Sequence, residues 1–180
     1  MALPKFLMKL WRQITARLFG SRNSPGESGP ISVVLLLKHP SFWSGQELAT
    51  AVTRAFDVPF STENPEQFVT SRNDRAVLYI KPHLVSVFAA SRPYLSHDPR
   101  EFAKSLPEID LQQAWANHKG WAAIDYLRGG ANVGAEYGVL SKIAVELIND
   151  NCSGIFIPRE GLLFPNNEVL PQRLQGISSR

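Results

Sequence analysis

The sequence predicts an α+β fold: a two-layer sandwich with helices mainly on one face of a mixed β-sheet of five to six strands. Three observations predict it. Short runs rich in β-branched residues alternate with amphipathic stretches, Gly, Pro and Asp punctuate the runs, and a strand, a Gly-rich loop, a long helix and a strand follow one another near the end. A chain of 180 residues suits one domain with a core.

The first twenty residues (1–20) are predicted to form a separate basic amphipathic helix. Pro4 suits a first helical position, and Gly20 suits a stop. Apolar side chains recur at the spacing of one helical face: Leu3, Phe6, Leu7, Leu10, Trp11, Ile14 and Leu18. Basic side chains lie on or beside the other side: Lys5, Lys9, Arg12 and Arg17.

A linker and one domain are predicted to follow this helix. Residues 21–30 are rich in Ser, Gly and Pro and contain no large apolar side chain, which is typical of a flexible linker. Residues 31–177 then form the single α+β domain. No apolar run approaches the roughly 20 residues that a membrane-spanning helix needs.

The basic charge belongs to the N-terminal segment and not to the domain. Five of the 19 basic residues lie in residues 1–26, where there is no acid, so the rest of the chain has 14 basic and 16 acidic residues and a formal charge of −2. A domain that neutralises many phosphates should itself be basic. We therefore expect no nucleic acid partner, and an anionic membrane surface as the partner of the helix. The alternatives are docking on its own domain, docking on a second copy, a protein partner, or a mitochondrial transit peptide.

The first half of the domain contains a buried strand, a helix and a meander. Ile31–Lys38 is almost wholly aliphatic, as in a strand buried on both faces. Ser44 and Glu47 form a capping box for the next helix. A weak strand at Phe68–Thr70 precedes two strands, Arg75–Lys81 and Leu84–Ala90, joined by a tight turn.

The second half is predicted to contain helices and a βαβ unit. Asp98, Pro99 and Glu101 begin a short helix, and a second helix follows Pro107. Strands at Trp121–Leu127 and Ser153–Ile157 flank a helix at Val133–Ile148. The tail holds one more short helix.

The loop before the long helix has the glycines of an anion site but not the rest of its motif. Gly129 and Gly134 have P-loop spacing, yet Ala135 and Glu136 stand where Lys and Ser or Thr belong. A carboxylate there repels phosphate. A turn that allows close helix packing is the better interpretation.

Two carboxylates near this loop define an alternative function. Asp125 lies near the carboxyl end of its strand, and Glu136 lies in the first turn of the helix. Together with Gly129 and Gly130 they could bind an anion or metal, or perform acid–base chemistry in a small enzyme. The structural interpretation is that Asp125 caps loop amides and Glu136 complements the helix dipole, and we favour it.

The remaining reactive residues predict no site. Four histidines have no metal-like spacing, and we expect no metal or cofactor. His118 is predicted to close the helix before Gly120 as an imidazolium that suits the helix dipole. Cys152 precedes a buried strand without an adjacent base, which favours a packed thiol.

Three segments carry a resemblance to a known family. The hairpin Arg75–Tyr94, the sequence AWANHKGW at Ala114–Trp121 and the sequence SGIFIPREGLLFP at Ser153–Pro165 resemble bacterial proteins of domain of unknown function 4261. The resemblance covers most of residues 31–176, implies a single bacterial α+β domain, and brings no activity or site residue with it.

The sequence therefore favours a non-catalytic binding or interaction domain that its N-terminal helix tethers to a membrane surface. That places the protein in the cytoplasm, peripheral at the membrane. The small enzyme or anion- and metal-binding protein that uses the corner of Asp125, Gly129 and Glu136 is the alternative.

Overall fold

The computed structural model describes residues 31–60, 67–95 and 98–177. The predicted N-terminal helix and linker lie outside these residues. In chain order the described elements are β1 (Ser32–Leu37), α1 (Gly45–Phe56), β2 (Gln67–Arg72), β3 (Arg75–Ile80), β4 (His83–Ala90), α2 (Pro99–Ala103), α3 (Ile109–Ala116), β5 (Gly120–Arg128), α4 (Val133–Leu147), β6 (Cys152–Ile157), β7 (Leu162–Pro165) and α5 (Leu170–Gln175). The α+β class is confirmed.

The sheet is antiparallel throughout and has seven described strands in the order β2-β3-β4-β5-β1-β6-β7. This corrects the predicted mixed sheet of five to six strands. β1 pairs antiparallel with both β5 and β6, so those two strands run parallel to each other without being hydrogen-bonded. The predicted βαβ unit is therefore split. All six residues of β1 are buried, which confirms a strand covered on both faces and explains its central place.

Helices cover parts of both faces, so the prediction of a two-layer sandwich is also wrong. On the first face, Leu35 of β1 and Leu140 of α4 belong to one core that also includes residues of α1 and α5. On the second face, Leu36 of β1 and Trp115 of α3 belong to a separate core, to which α2 also contributes. Successive residues of a strand point to opposite faces, so β1 supplies both cores.

Local signals in the sequence set the helix starts. Ser44 accepts a hydrogen bond from the backbone N–H of Glu47, whose carboxylate accepts one from the backbone N–H of Ser44 at 2.7 Å. The capping box is thus confirmed, and these bonds lower the pKa of Glu47. Asn132 caps α4 by accepting from the N–H of Ala135.

One strand was not predicted. β7 has only four residues and ends in Pro165, so the pattern was too short to separate it from a loop. It pairs with β6 through a turn in which Gly161 has φ 62°. β7 is an edge strand, where a terminal Pro is tolerated.

Candidate functional site

Among the described residues, no helix covers the second face of the sheet over β2, β3, β4 and the end of β5. The second core includes only two residues from β2–β4, Phe88 and Ala90, both at its margin, and none of the described helices packs on this side of those strands. We call this surface the open face and define it by the side chains Phe68, Val77, Tyr79, Leu84, Ser86, Phe88, Asp125 and Leu127. All are partly exposed or exposed.

Strand register arranges the open face in rows across the sheet. Phe68 pairs with Tyr79, and Tyr79 pairs with Leu84, which makes one apolar row. The ring centroids of Phe68 and Tyr79 lie 5.7 Å apart. Leu127 lies beside this row on β5 and is 52% exposed. Contiguous apolar surface of this kind commonly marks an interaction site.

The neighbouring row is polar at its centre. Val77 pairs with Ser86, Ser86 with Asp125, and Asp125 with Ser32. The Ser32 hydroxyl donates a hydrogen bond of 2.6 Å to the Asp125 carboxylate. Burial raises the pKa of Asp125, while the bond from Ser32 acts in the opposite direction. The carboxylate is thus a partly buried acceptor at the border of an apolar surface, as in many binding sites.

Aromatic residues form the rim between the open face and the second core. Trp121 packs edge-on against Phe88 and Tyr94, with centroid separations of 5.4 and 5.1 Å. Burial, followed by the charge of Asp125, raises the pKa of Tyr94. The Trp121 indole N–H is buried and has no hydrogen-bond partner among the described residues. An unpaired N–H that is buried away from water opposes folding, so Trp121 packs the rim and is not part of the exposed surface.

The imidazole of His118 is hydrogen-bonded to two rim residues, Tyr94 and Trp115, and is neutral. Its Nε2 accepts a hydrogen bond from the backbone N–H of Tyr94 at 3.0 Å, and its Nδ1 bonds the carbonyl of Trp115. A nitrogen that accepts from an N–H carries no proton, so Nδ1 is the donor. Burial lowers the pKa of His118. The predicted position at the end of α3 is correct, but the predicted imidazolium is not.

The Gly-rich loop packs against the turn between β3 and β4. Gly129 has φ +104°, and a Cβ there would lie 2.2 Å from the carbonyl oxygen of Pro82. A Cβ on Gly130 would lie 2.3 Å from Cγ of Glu136. Close backbone approach and a positive φ require glycine at position 129, whereas a Cβ at position 130 would meet only the side chain of Glu136. The loop space that a ligand would need is filled by Pro82 and Glu136.

The structure does not bring Asp125 and Glu136 together. Asp125 shares the second face with Ser32, whereas its neighbour Tyr126 belongs to the first core. Glu136 lies on the Tyr126 side, where burial and its negative charge raise the pKa of Tyr126. The sheet separates the two carboxylates, so the four residues of the alternative site do not line one cleft.

A tyrosine–histidine pair occupies the position beside Glu136. The Tyr126 hydroxyl and Nδ1 of His83 lie 2.5 Å apart. His83 begins β4, Tyr126 ends the buried part of β5, and Glu136 belongs to the first turn of α4. The bond therefore ties the β3–β4 turn to β5.

The described residues contain no cluster suited to a metal ion, and their cysteine is a buried thiol. No group of three or more His, Cys, Asp or Glu side chains is placed to hold a metal. Cys152 is buried, and burial raises its pKa to about 11, as expected for a packed thiol. In the part of the chain that the structure describes, no helix is long and apolar enough to cross a bilayer.

Two shallow grooves flank an ion pair between α1 and α4. Arg54 Nε and the Glu146 carboxylate lie 2.9 Å apart. The groove on one side measures about 400 Å³ and reaches Trp43, and the groove on the other side measures about 360 Å³ and reaches Gln175.

The sequence flagged Asp125 but missed the apolar residues around it: Phe68, Val77, Tyr79, Leu84, Phe88 and Leu127. One signal in the sequence could have revealed them. In β3 and β4 the residues on both faces are mostly apolar, whereas a strand with one face in water usually alternates apolar and polar residues. The membrane-contact residues Phe6, Leu7, Leu10, Trp11, Ile14 and Leu18, with Lys5, Lys9, Arg12 and Arg17, lie outside the described residues.

No family model, curated protein or solved structure matches this chain. The resemblance to domain of unknown function 4261 therefore stays a prediction.

Proposed function

We propose that the protein is a non-catalytic interaction domain that binds a partner through the open face and is tethered to an anionic membrane surface by its N-terminal segment. The open face carries the proposal. It combines an apolar row that includes Phe68 and Tyr79 with the partly buried carboxylate of Asp125 on one strand-built surface. Interfaces commonly join an apolar centre to a few fixed polar groups.

The charge distribution supports the tether. Residues 1–26 have five basic side chains and no acid, whereas the rest of the chain has a formal charge of −2. Each basic residue near an anionic leaflet contributes about 1 kcal/mol of attraction. The apolar stripe that includes Phe6 and Trp11 would enter the acyl boundary. Because the sheet separates Asp125 from Glu136, we do not propose the small enzyme or anion-binding protein.

Vesicle sedimentation of the full-length protein tests the tether. We expect binding to vesicles that contain phosphatidylserine, weak binding to phosphatidylcholine alone, and a decrease as salt is raised. Charge reversal in the segment should abolish binding, with the substitutions Lys5→Glu, Lys9→Glu, Arg12→Glu and Arg17→Glu.

The matched control reverses the same number of charges on exposed residues of the domain: Arg92→Glu, Lys119→Glu, Arg128→Glu and Arg173→Glu. This variant should sediment with phosphatidylserine vesicles like the wild type. Equal loss in both variants would show a general charge effect, and no binding of the wild type would reject the tether.

A further inference from the structure

The open face has a natural occupant within the same chain. Helices cover the first face and the β1–β6–β7 part of the second face, and among the described residues only the second side of β2–β4 and the end of β5 is left without one. The sequence predicts one more amphipathic helix, residues 4–19, which lies outside the described residues.

The linker is long enough to bring this helix to the open face. Ile31 lies beside β5, since its carbonyl accepts a hydrogen bond from the N–H of Tyr126. β4 and β3 are the next strands, so the middle of the open face lies roughly 10–15 Å away. Ten linker residues span at most about 33 Å when extended and on average about 17 Å as a flexible coil.

The sizes and chemistry of the two surfaces agree. A helix of residues 4–19 would be about 24 Å long. Strands β2, β3 and β4 have six, six and eight residues, and strands of that length are about 20–27 Å long. Along the strands, the apolar stripe would cover Val77 and Tyr79 of β3 and Leu84 and Phe88 of β4, with the basic residues directed to water.

We propose that residues 4–19 dock intramolecularly on the open face when no membrane is present. This inference rests on the proposed function, because it names the resting occupant of the proposed binding face. Docking and membrane binding use the same apolar stripe and exclude each other.

Paramagnetic relaxation in the full-length protein tests the docking. A nitroxide is attached to Gln13→Cys, and Cys152, which is 1% exposed, is changed to Ser so that it cannot be labelled. We expect severalfold stronger broadening of the methyl signals of Leu84 and Leu127 than of Leu78 and Val85, which point to the first face. Adding phosphatidylserine vesicles should remove the difference.

The matched control separates docking from mere tethering. The variant Leu10→Asn with Ile14→Asn keeps the label and the linker but breaks the apolar stripe, and it should lose the preferential broadening. Equal broadening in both proteins would overturn the proposal. So would broadening seen only when labelled and unlabelled molecules are mixed, because that would show docking on a second copy.

The outcome is distinguishable from failure of the proposed function. If the broadening is found but the protein does not bind vesicles, docking stands and the tether fails. If vesicles bind but Leu84 and Leu127 are not preferentially broadened, the tether stands and docking fails.

Discussion

The hydroxyl of Ser32 donates a 2.6 Å hydrogen bond to the carboxylate of Asp125 across the β1–β5 pair. The two residues are 93 positions apart in the sequence. Burial raises the pKa of Asp125 in spite of this bond, so an ionised carboxylate at this position opposes folding. Ionisable groups whose pKa values are shifted by burial are concentrated at functional sites, and this carboxylate borders the open face.

Replacing Asp125 with Asn should stabilise the protein at neutral pH. The folded pKa is raised above the unfolded value, so the contribution of Asp125 to stability is fully present below its ordinary pKa of 3.8 and is lost as pH rises through the folded pKa. Asn removes that loss and can still accept from Ser32. Urea unfolding should show a higher midpoint for Asp125→Asn at pH 7, and the difference should shrink towards about pH 4.

The companion variant Ser32→Ala tests the hydrogen bond itself. It leaves the partly buried carboxylate without its donor and should cost about 1–3 kcal/mol at pH 7. If Asp125→Asn were instead the less stable variant at neutral pH, the bond would outweigh burial and the assignment of Asp125 as a destabilising charge would be wrong.

Acid should destabilise the rim through His118. Its folded pKa lies below the ordinary value of 6.5, so its contribution to stability is present above 6.5 and is lost as pH falls through the folded pKa. Protonation places a proton on Nε2, which then faces the N–H of Tyr94. The unfolding free energy should decline below about pH 6.5.

In the variant His118→Gln the unfolding free energy should depend less on pH, because Gln does not titrate. The variant should be about 1–3 kcal/mol less stable at pH 7, because Gln reproduces the two hydrogen bonds poorly. The exposed His39→Gln serves as its control. A pH dependence that is unchanged in His118→Gln would mean that other groups cause it.

A side chain at Gly129 should disrupt the corner between the loop and the β3–β4 turn. The Cβ of Gly129→Ala would lie 2.2 Å from the Pro82 carbonyl oxygen and would occupy a backbone with φ +104°. We expect a loss of about 2 kcal/mol or more. At Gly176, φ is −64°, and the nearest atom to an added Cβ would be the Arg173 carbonyl oxygen at 3.4 Å. Gly176→Ala should therefore change the free energy of unfolding by less than about 1 kcal/mol. Equal thermal-melt midpoints for Gly129→Ala and Gly176→Ala would contradict the steric account.

Local features of the fold could be predicted from the sequence. The aliphatic run of β1, the capping box of Ser44 and Glu47, and the β3–β4 hairpin each depend on residues close in the chain. The insertion of β1 between β5 and β6 depends on pairing across 83–93 residues to β5 and 115–122 residues to β6, for which periodicity contains no information. The sheet type was consequently wrong.

The candidate site was predicted only in part, for the same reason. Asp125 stood out as a carboxylate on a buried strand, but its donor Ser32 lies 93 residues away. Alternation shows that Val77 and Tyr79 share a face, and it does not show whether a helix covers that face. Gly129 was recognised as a turn residue, whereas its contact with Pro82 depends on tertiary packing.

Site-specific photo-crosslinking tests the central claim, that the open face binds a partner, most directly. A benzophenone amino acid replaces Tyr79 on the open face or, as a control, the exposed Gln113 on α3 in the full-length protein within its own cells. We predict adducts from position 79, either with one dominant partner protein or with residues 4–19 of the same chain, well above those from position 113. Equal or absent adducts at the two positions would contradict the assignment of the open face as the binding surface.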